Sequence, residues 1–246
     1  MKNIILLNKK EGKTPLQVLE NFRQKHKKYK DVKMTYAGRL DPMASGLLLV
    51  LTGEEIKNKE KYLALNKEYN FKVLFGFATD TYDVLGKVVN TNFAFFPKIE
   101  KEIKRNLKSF LGENFQKYPK YSSKTVKGKP LFVYAREGEY VDIPERVVFI
   151  QKLKLEKITE INNKKLFANI KKRIEKVDGD FRQEEILDIW KGLILDKPNK
   201  FFVAHLKIKC SSGTYVRSVA NTLGDMVGIP ALAFSIRRTR VGKYVI

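Results

Sequence analysis

TYAGRLDPMASGLLLV, residues 35–50, is the stretch on which the reading of this chain turns. Its second half opens an apolar run, Leu47 to Leu51, of strand length and with the look of a buried strand. Its first half carries one carboxylate, Asp41, in a turn ahead of that strand. Pro42 fixes its own φ and biases Asp41 toward an extended backbone. Gly38 and Gly46 are expected to let the backbone approach a bulky ligand without a Cβ clash. Such a loop suits an exposed nucleophile, yet Asp-Pro also opens ordinary turns. The company the loop keeps elsewhere in the chain has to decide.

Around this stretch the chain alternates helices and strands in irregular order, which indicates an α+β fold. Thr14-Pro15-Leu16-Gln17 reads as a helix start, with Thr14 as cap, Pro15 in the first turn and Gln17 reaching back. Leu16, Leu19 and Phe22 are expected to line the buried face of that helix, and Lys25 to Lys30 its solvated end near phosphates. Tyr69, Phe71, Val73, Phe75 and Phe77 alternate as a half-buried strand with Tyr69 at its exposed end. Ile99, Ile103, Leu107 and Phe110 have helical spacing, and residues 141–157 and 200–210 read as strands. Residues 158–200, with a Gly-Asp turn at Gly179 and an amphipathic stretch around Trp190, read as an insertion.

The chain has 246 residues, 43% of them hydrophobic, enough for one sizeable core. No apolar run reaches the ~20 residues of a membrane span, and the opening residues are too short for a signal peptide. A soluble cytoplasmic protein, monomeric, is the expectation. The single cysteine, Cys210, has alternating apolar neighbours and reads as a buried strand thiol. With 49 basic against 27 acidic residues the formal charge is +22, which makes a polyanion the natural partner. Several phosphate contacts would make binding fall steeply with salt.

Two other signals carry no chemistry. Glu11-Gly12-Lys13-Thr14 imitates the end of a nucleotide-binding P-loop, but Leu7 stands where an earlier glycine is needed. One cysteine and two distant histidines, His26 and His205, offer no metal-ligand spacing. No metal and no nucleotide cofactor are expected.

The loop resembles the catalytic loop of RNA pseudouridine synthases, specifically the tRNA pseudouridine 55 synthase (TruB) family, and further stretches agree in order. These are Gly53-Glu54-x-x-Lys57, Lys67-Glu68-Tyr69, Thr79-Asp80-Thr81-x-Asp83-x-x-Gly86, Pro119-x-Tyr121-Ser122 through Gly138, Gly213-Thr214-Tyr215-Val216-Arg217, and Ile236-Arg237-Arg238 with Lys243-Tyr244. Two departures stand out: a family histidine is Tyr36 here, and a small residue before Leu-Asp is Arg39. Arg39-Leu40-Asp41 is also how rRNA-modifying branches tend to read. The family usually continues into an RNA-binding PUA domain, whereas this sequence stops at Ile246. The resemblance therefore implies a single catalytic domain over 1–246 without that module, built on a mixed, mostly antiparallel central sheet flanked by helices.

It also implies the chemistry. Uridine becomes pseudouridine when the glycosidic bond is broken and remade to C5 of the same base, with no cofactor. Asp41 would be the nucleophile, attacking C1′ or C6, and Arg217 the guanidinium that favours its charged form. Tyr69 would stack on the flipped uracil and remove the C5 proton. Tyr215 and Ile236 would wall the pocket, Asp83 would lie near the flipped nucleotide, and Lys57 with Arg237 or Arg238 would meet phosphate. Tyr36 could stack in place of the missing histidine, and Arg39 is a further candidate RNA contact. The expected substrate is the T-arm of tRNA, at uridine 55. The alternatives are a synthase for rRNA or another RNA, and a non-catalytic RNA-binding or RNA-folding protein on the same scaffold.

Overall fold

The computed structural model of the protein describes residues 3–93, 98–195 and 200–246. In chain order its strands are β1 (Ile4–Lys9), β2 (Met34–Ala37), β3 (Ala44–Thr52), β4 (Lys67–Phe75), β5 (Phe77–Thr79), β6 (Val88–Thr91), β7 (Gly112–Lys117), β8 (Thr125–Val126), β9 (Lys129–Pro130), β10 (Glu145–Ile161), β11 (Phe201–Cys210), β12 (Ala231–Val241) and β13 (Tyr244–Val245). Its helices are α1 (Pro15–Lys25), α2 (Lys59–Ala64), α3 (Ile99–Leu107), α4 (Leu131–Glu137), α5 (Asn163–Ile174), α6 (Gln183–Ile194) and α7 (Val216–Val227).

One mixed sheet organises these elements, in the order β1-β3-β12-β4-β11-β10-β7, with β2 joining β3 and β13 joining β12. Every pairing in it is antiparallel except that of β12 with β3. The α+β fold read from the sequence is the observed one. Helices cover both faces. Tyr69, Phe71, Val73 and Phe75 point from β4 into a core with α3 and α7, while Leu74 points the other way, toward α5 and α6. The unbroken apolar run of β3 has the same cause. Leu47, Leu49 and Leu51 enter one cluster and Leu48 and Val50 another, so neither face of the strand can be polar.

The start of α1 forms the expected reciprocal cap: Gln17 N donates to Thr14 Oγ1 and Thr14 N to Gln17 Oε1. Its buried face is Pro15 and Leu19, however, and Leu16 is exposed. Beyond it Lys25, His26, Lys27, Lys28 and Lys30 are exposed, as read, and only Tyr29 turns inward to anchor the stretch. The run from Tyr69 to Phe77 is two strands, broken at Gly76 with φ +105. Tyr69 is not an exposed end: β4 begins two residues earlier and the tyrosine is buried beneath its neighbours. The strand expected at 141–157 runs from Glu145 to Ile161, and the helical hairpin that follows holds Trp190 fully buried, its Nε1 donating to Val84 O at 3.2 Å. Residues 196–199 of the expected insertion lie outside the described residues. Cys210 is buried, as read. No helix among the described residues is long and apolar enough to cross a membrane.

Candidate active site

Asp41 lies where β3 begins, and its loop is held from both sides by buried cations. On one side Lys9, at the inner face of β1, donates Nζ to Ala44 O at 2.5 Å and to Pro42 O at 3.3 Å. On the other, Arg238 donates Nε to Leu47 O at 2.7 Å, Nη2 to Gly38 O at 3.0 Å and Nη1 to Arg39 O at 3.3 Å. Gly12 N adds a bond to Pro42 O at 2.9 Å. These contacts hold the loop by its carbonyls and leave the Asp41 side chain free to take another partner.

That partner is Arg217, in the first turn of α7. Its Nε donates to Asp41 Oδ2 at 2.8 Å, its Nη1 to Thr81 O at 2.6 Å and its Nη2 to Tyr121 O at 3.2 Å. Asp83 Oδ2 stands 3.9 Å from the same Nε. A cation at a helix N-terminus opposes the helix dipole. Two carboxylates and two carbonyls offset that cost.

Burial pushes the Asp83 carboxyl up to about 6, against the pull of Arg217 and of hydrogen bonds from Thr81 Oγ1 and Leu85 N. Burial likewise raises the Tyr69 hydroxyl to about 12, while Arg238 beside it pulls downward and the Asp41 charge pushes further up. Lys9 is lowered to about 8 by burial, with Asp41 opposing. Asp41, Tyr69, Arg217, Asp83, Lys9 and Arg238 thus share one electrostatic neighbourhood.

Of the other residues singled out in the sequence, Tyr215 caps α7 and has its backbone bracketed by the Gln116 amide, at 2.7 Å and 3.2 Å. Burial and the Asp41 charge raise its hydroxyl. Ile236 is buried and pairs with Ala44 across the parallel seam, three residues from Asp41. Arg39 and Arg237 are exposed. Arg238 is not a phosphate contact: it is buried and occupied with three loop carbonyls. Tyr36 is half-buried and packs against the cluster around Leu19 and Tyr29. Lys57 stands apart, an exposed partner of Glu54 past the far end of β3, ~30 Å along the strand from Asp41 at about 3.3 Å per residue. Gly46 answers to a different need from the one expected. Its φ is +105, and a Cβ there would meet Arg238 O at 2.2 Å, so it admits the neighbouring strand rather than a ligand.

Lys9 also belongs to the site: Ile5, Leu7 and Lys9 share one period-2 face, and a lysine on a buried face is a signal in itself. Arg182 and its contacts with Asp80 and Tyr121 have no local signal, because they join segments more than sixty residues apart. Among the described residues no group of three or more His, Cys, Asp or Glu side chains is placed to hold a metal ion.

Comparison with known proteins gives the family and the fold. Residues 24–175 match the family described as TruB family pseudouridylate synthase (N terminal domain). The protein called tRNA pseudouridine synthase B in Borreliella afzelii (strain PKo) is 30% identical over 240 residues, 98% of this chain and 70% of that protein. Its namesake in Wigglesworthia glossinidia brevipalpis is 31% identical over 241 residues, 98% of this chain and 60% of that protein. The namesake in Lactobacillus acidophilus (strain ATCC 700396 / NCK56 / N2 / NCFM) is 32% identical over 239 residues, 97% of this chain and 68% of that protein. Among solved structures, the crystal structure of a Cbf5-Nop10-Gar1 complex shares the fold with a TM-score of 0.56 at 18% identity, over 98% of this chain and 49% of that one. The chain therefore spans 60 to 70% of the length of these curated relatives and about half of that structural neighbour. The chain belongs to the TruB family of pseudouridylate synthases.

Proposed function

We propose that this chain isomerises uridine 55 in the T-loop of tRNA to pseudouridine, with Asp41 as nucleophile and without metal or nucleotide. The observation that carries the reading is the pairing of a half-exposed carboxylate with a buried guanidinium at 2.8 Å, beside a buried tyrosine. The buried cation is a fixed counter-charge, and the accessible oxygen is free to attack C1′ of the ribose or C6 of the base. The uridine reaches it only after leaving the base stack, at about a few kcal/mol. Phosphate contacts made by a chain of charge +22 offset that cost.

Tyr69 stacks on the extruded uracil and takes part in removing the C5 proton. Its hydroxyl, held up at about 12, is neutral in the resting site, and Arg238 is the nearby charge that would stabilise a phenolate during turnover. Tyr215 and Ile236 wall the pocket, Asp83 lies behind Arg217, and the exposed Arg39 and Arg237 meet phosphate, with Lys57 and Tyr36 as more distant RNA contacts. The enzyme acts as a monomer in the cytoplasm. Residues 158–200 are an insertion in a single catalytic domain.

Arg39 favours a second reading, an rRNA target, since Arg-Leu-Asp in this loop reads like the rRNA-modifying branches. Incubating the protein with T-arm RNA and with rRNA fragments, then mapping pseudouridine at every uridine, separates the two. Product at uridine 55 supports the first reading, and product only in rRNA replaces it with the second.

A further inference from the structure

The hairpin formed by α5 and α6 contacts the segments that flank the Asp41–Arg217 pair from two directions. Gln183 ties down its connecting loop: it donates Nε2 to Gly179 O at 2.6 Å and to Val177 O at 3.0 Å, and accepts from Phe181 N at 2.8 Å. The loop ends on Arg182, whose φ of +63 is one that residues with a side chain seldom adopt. This backbone turns the guanidinium toward the segments behind Arg217. Its Nη1 donates to Asp80 Oδ2 at 2.8 Å, and its Cζ lies 4.6 Å from the centroid of the Tyr121 ring. Asp80 precedes Thr81, and the carbonyls that receive the two terminal nitrogens of Arg217 belong to Thr81 and Tyr121. One arginine therefore clamps both segments that orient the other.

The hairpin reaches the Asp41 loop as well. Arg173 of α5 donates Nε to Glu11 Oε1 at 2.6 Å, and a Cβ on the adjoining Gly12 would meet Lys176 O at 2.5 Å. Gly12 N in turn donates to Pro42 O, next to Asp41. Both partners of the pair thus rest on one two-helix unit.

We propose that Arg182 is a positioning residue, through which the α5–α6 hairpin sets the geometry of Arg217 against Asp41 for reaction. The proposal rests on the reading of Asp41 and Arg217 as the reacting pair. An arginine suits this task because its planar cation can bind a carboxylate at one edge while its face lies on an aromatic ring, which an ammonium does less well. Displacement of a reacting group by about 1 Å can lower a rate ~100-fold, even when the altered residue is remote.

The test is single-turnover pseudouridine formation on a T-arm RNA, with the RNA Kd measured separately, for wild type, Arg182→Ala, Arg182→Lys, Asp80→Asn and the Arg182→Ala/Asp80→Asn double variant. Thermal melting of each protein verifies that it is folded. Arg182→Ala is expected to slow the chemical step by about tenfold or more while the Kd stays within about twofold, because the guanidinium is taken up by Asp80 and the Tyr121 ring. Arg182→Lys keeps the Asp80 ion pair and should recover part of the rate. The double variant should be no slower than the worse single one, since both remove the same clamp. A wild-type rate in a folded Arg182→Ala protein, a loss confined to Kd, or additive losses would overturn the proposal. Asp41→Asn in the same assay keeps the two readings apart. If wild type forms no product, or Asp41→Asn matches it, the active-site reading fails; if only the Arg182 variants behave like wild type, the positioning role alone fails.

Discussion

Arg217 Nε lies 2.8 Å from Asp41 Oδ2, and the two ends of the pair differ in access: the arginine side chain is 3% exposed and the aspartate 38%. A pair serving only stability gains little from keeping its anion in reach of water, where solvent screens it. Here the cation is fixed by further bonds to Thr81 O and Tyr121 O, and the carboxylate retains an open side. An immobile counter-charge next to an accessible oxygen is what a nucleophile needs, because no reorganisation is required when the substrate arrives.

Tyr69→Phe separates stacking from proton transfer. Phenylalanine keeps the ring and the packing within the buried core, so RNA affinity and stability should change little. If the hydroxyl handles a proton, the turnover rate should fall by about 10²–10⁴-fold. Rapid-quench turnover beside a binding titration measures both, and an undiminished rate would reduce Tyr69 to a stacking surface.

Asp83 gives a pH signature. Its folded pKa, about 6, is above the ordinary value of 3.8, so the folded state takes up this proton first as pH falls. The cost of burying the carboxylate is present in full above pH 6 and is relieved as pH drops toward 4. Asp83→Asn should therefore gain stability relative to wild type on going from pH 4 to 6.5, by roughly 1–3 kcal/mol. Urea midpoints across that range decide it, and parallel curves for the two proteins would contradict the assignment.

Gly46→Ala tests the parallel seam. The new Cβ would sit 2.2 Å from Arg238 O at a φ of +105, so β12 and β3 must separate or the backbone must flip. A loss of about 3 kcal/mol or more follows from strain and overpacking together. A melting temperature within 2–3 °C of wild type, about 1 kcal/mol for a chain of this size, would show that the seam yields easily.

Lys9→Met removes one of the two cations that grip the Asp41 loop. The Ala44 carbonyl loses its lysine donor, at about 1–3 kcal/mol if it stays buried, while Pro42 O keeps its bond from Gly12 N. Relief of the burial cost of the lysine charge, which lowers it to about 8, offsets part of this. The turnover rate should fall more than stability does, because the loop loosens while the core persists. Equal activity at matched folded fraction would show that Arg238 alone suffices.

Much of this site is legible along the chain, and the remainder illustrates what sequence leaves out. The buried strand after Asp41, the cap at Thr14 and the helix carrying Ile99, Ile103 and Leu107 follow from local pattern, and the structure has each of them. Alternation makes Tyr69 look like an exposed strand end, because it shows which side of a strand is apolar but not where the strand ends. The sequence cannot show that Arg238 crosses Gly46, so its glycine reads as room for a ligand. Arg238 looked like a phosphate contact because arginine is usually a surface residue, and only three-dimensional packing shows it spent on loop carbonyls. Arg182 required the fold itself, since it meets Asp80 across 102 positions.

The central claim is that the Asp41 carboxylate performs the reaction. It is tested most directly by single-turnover incubation of wild type and Asp41→Asn with a tRNA T-arm RNA, followed by mapping of pseudouridine. Asparagine keeps the size of the side chain and an oxygen able to accept from Arg217, but it loses the anionic nucleophile. The account predicts product at uridine 55 with wild type, none with Asp41→Asn, and RNA binding by both. Product formed at a comparable rate by Asp41→Asn would contradict it.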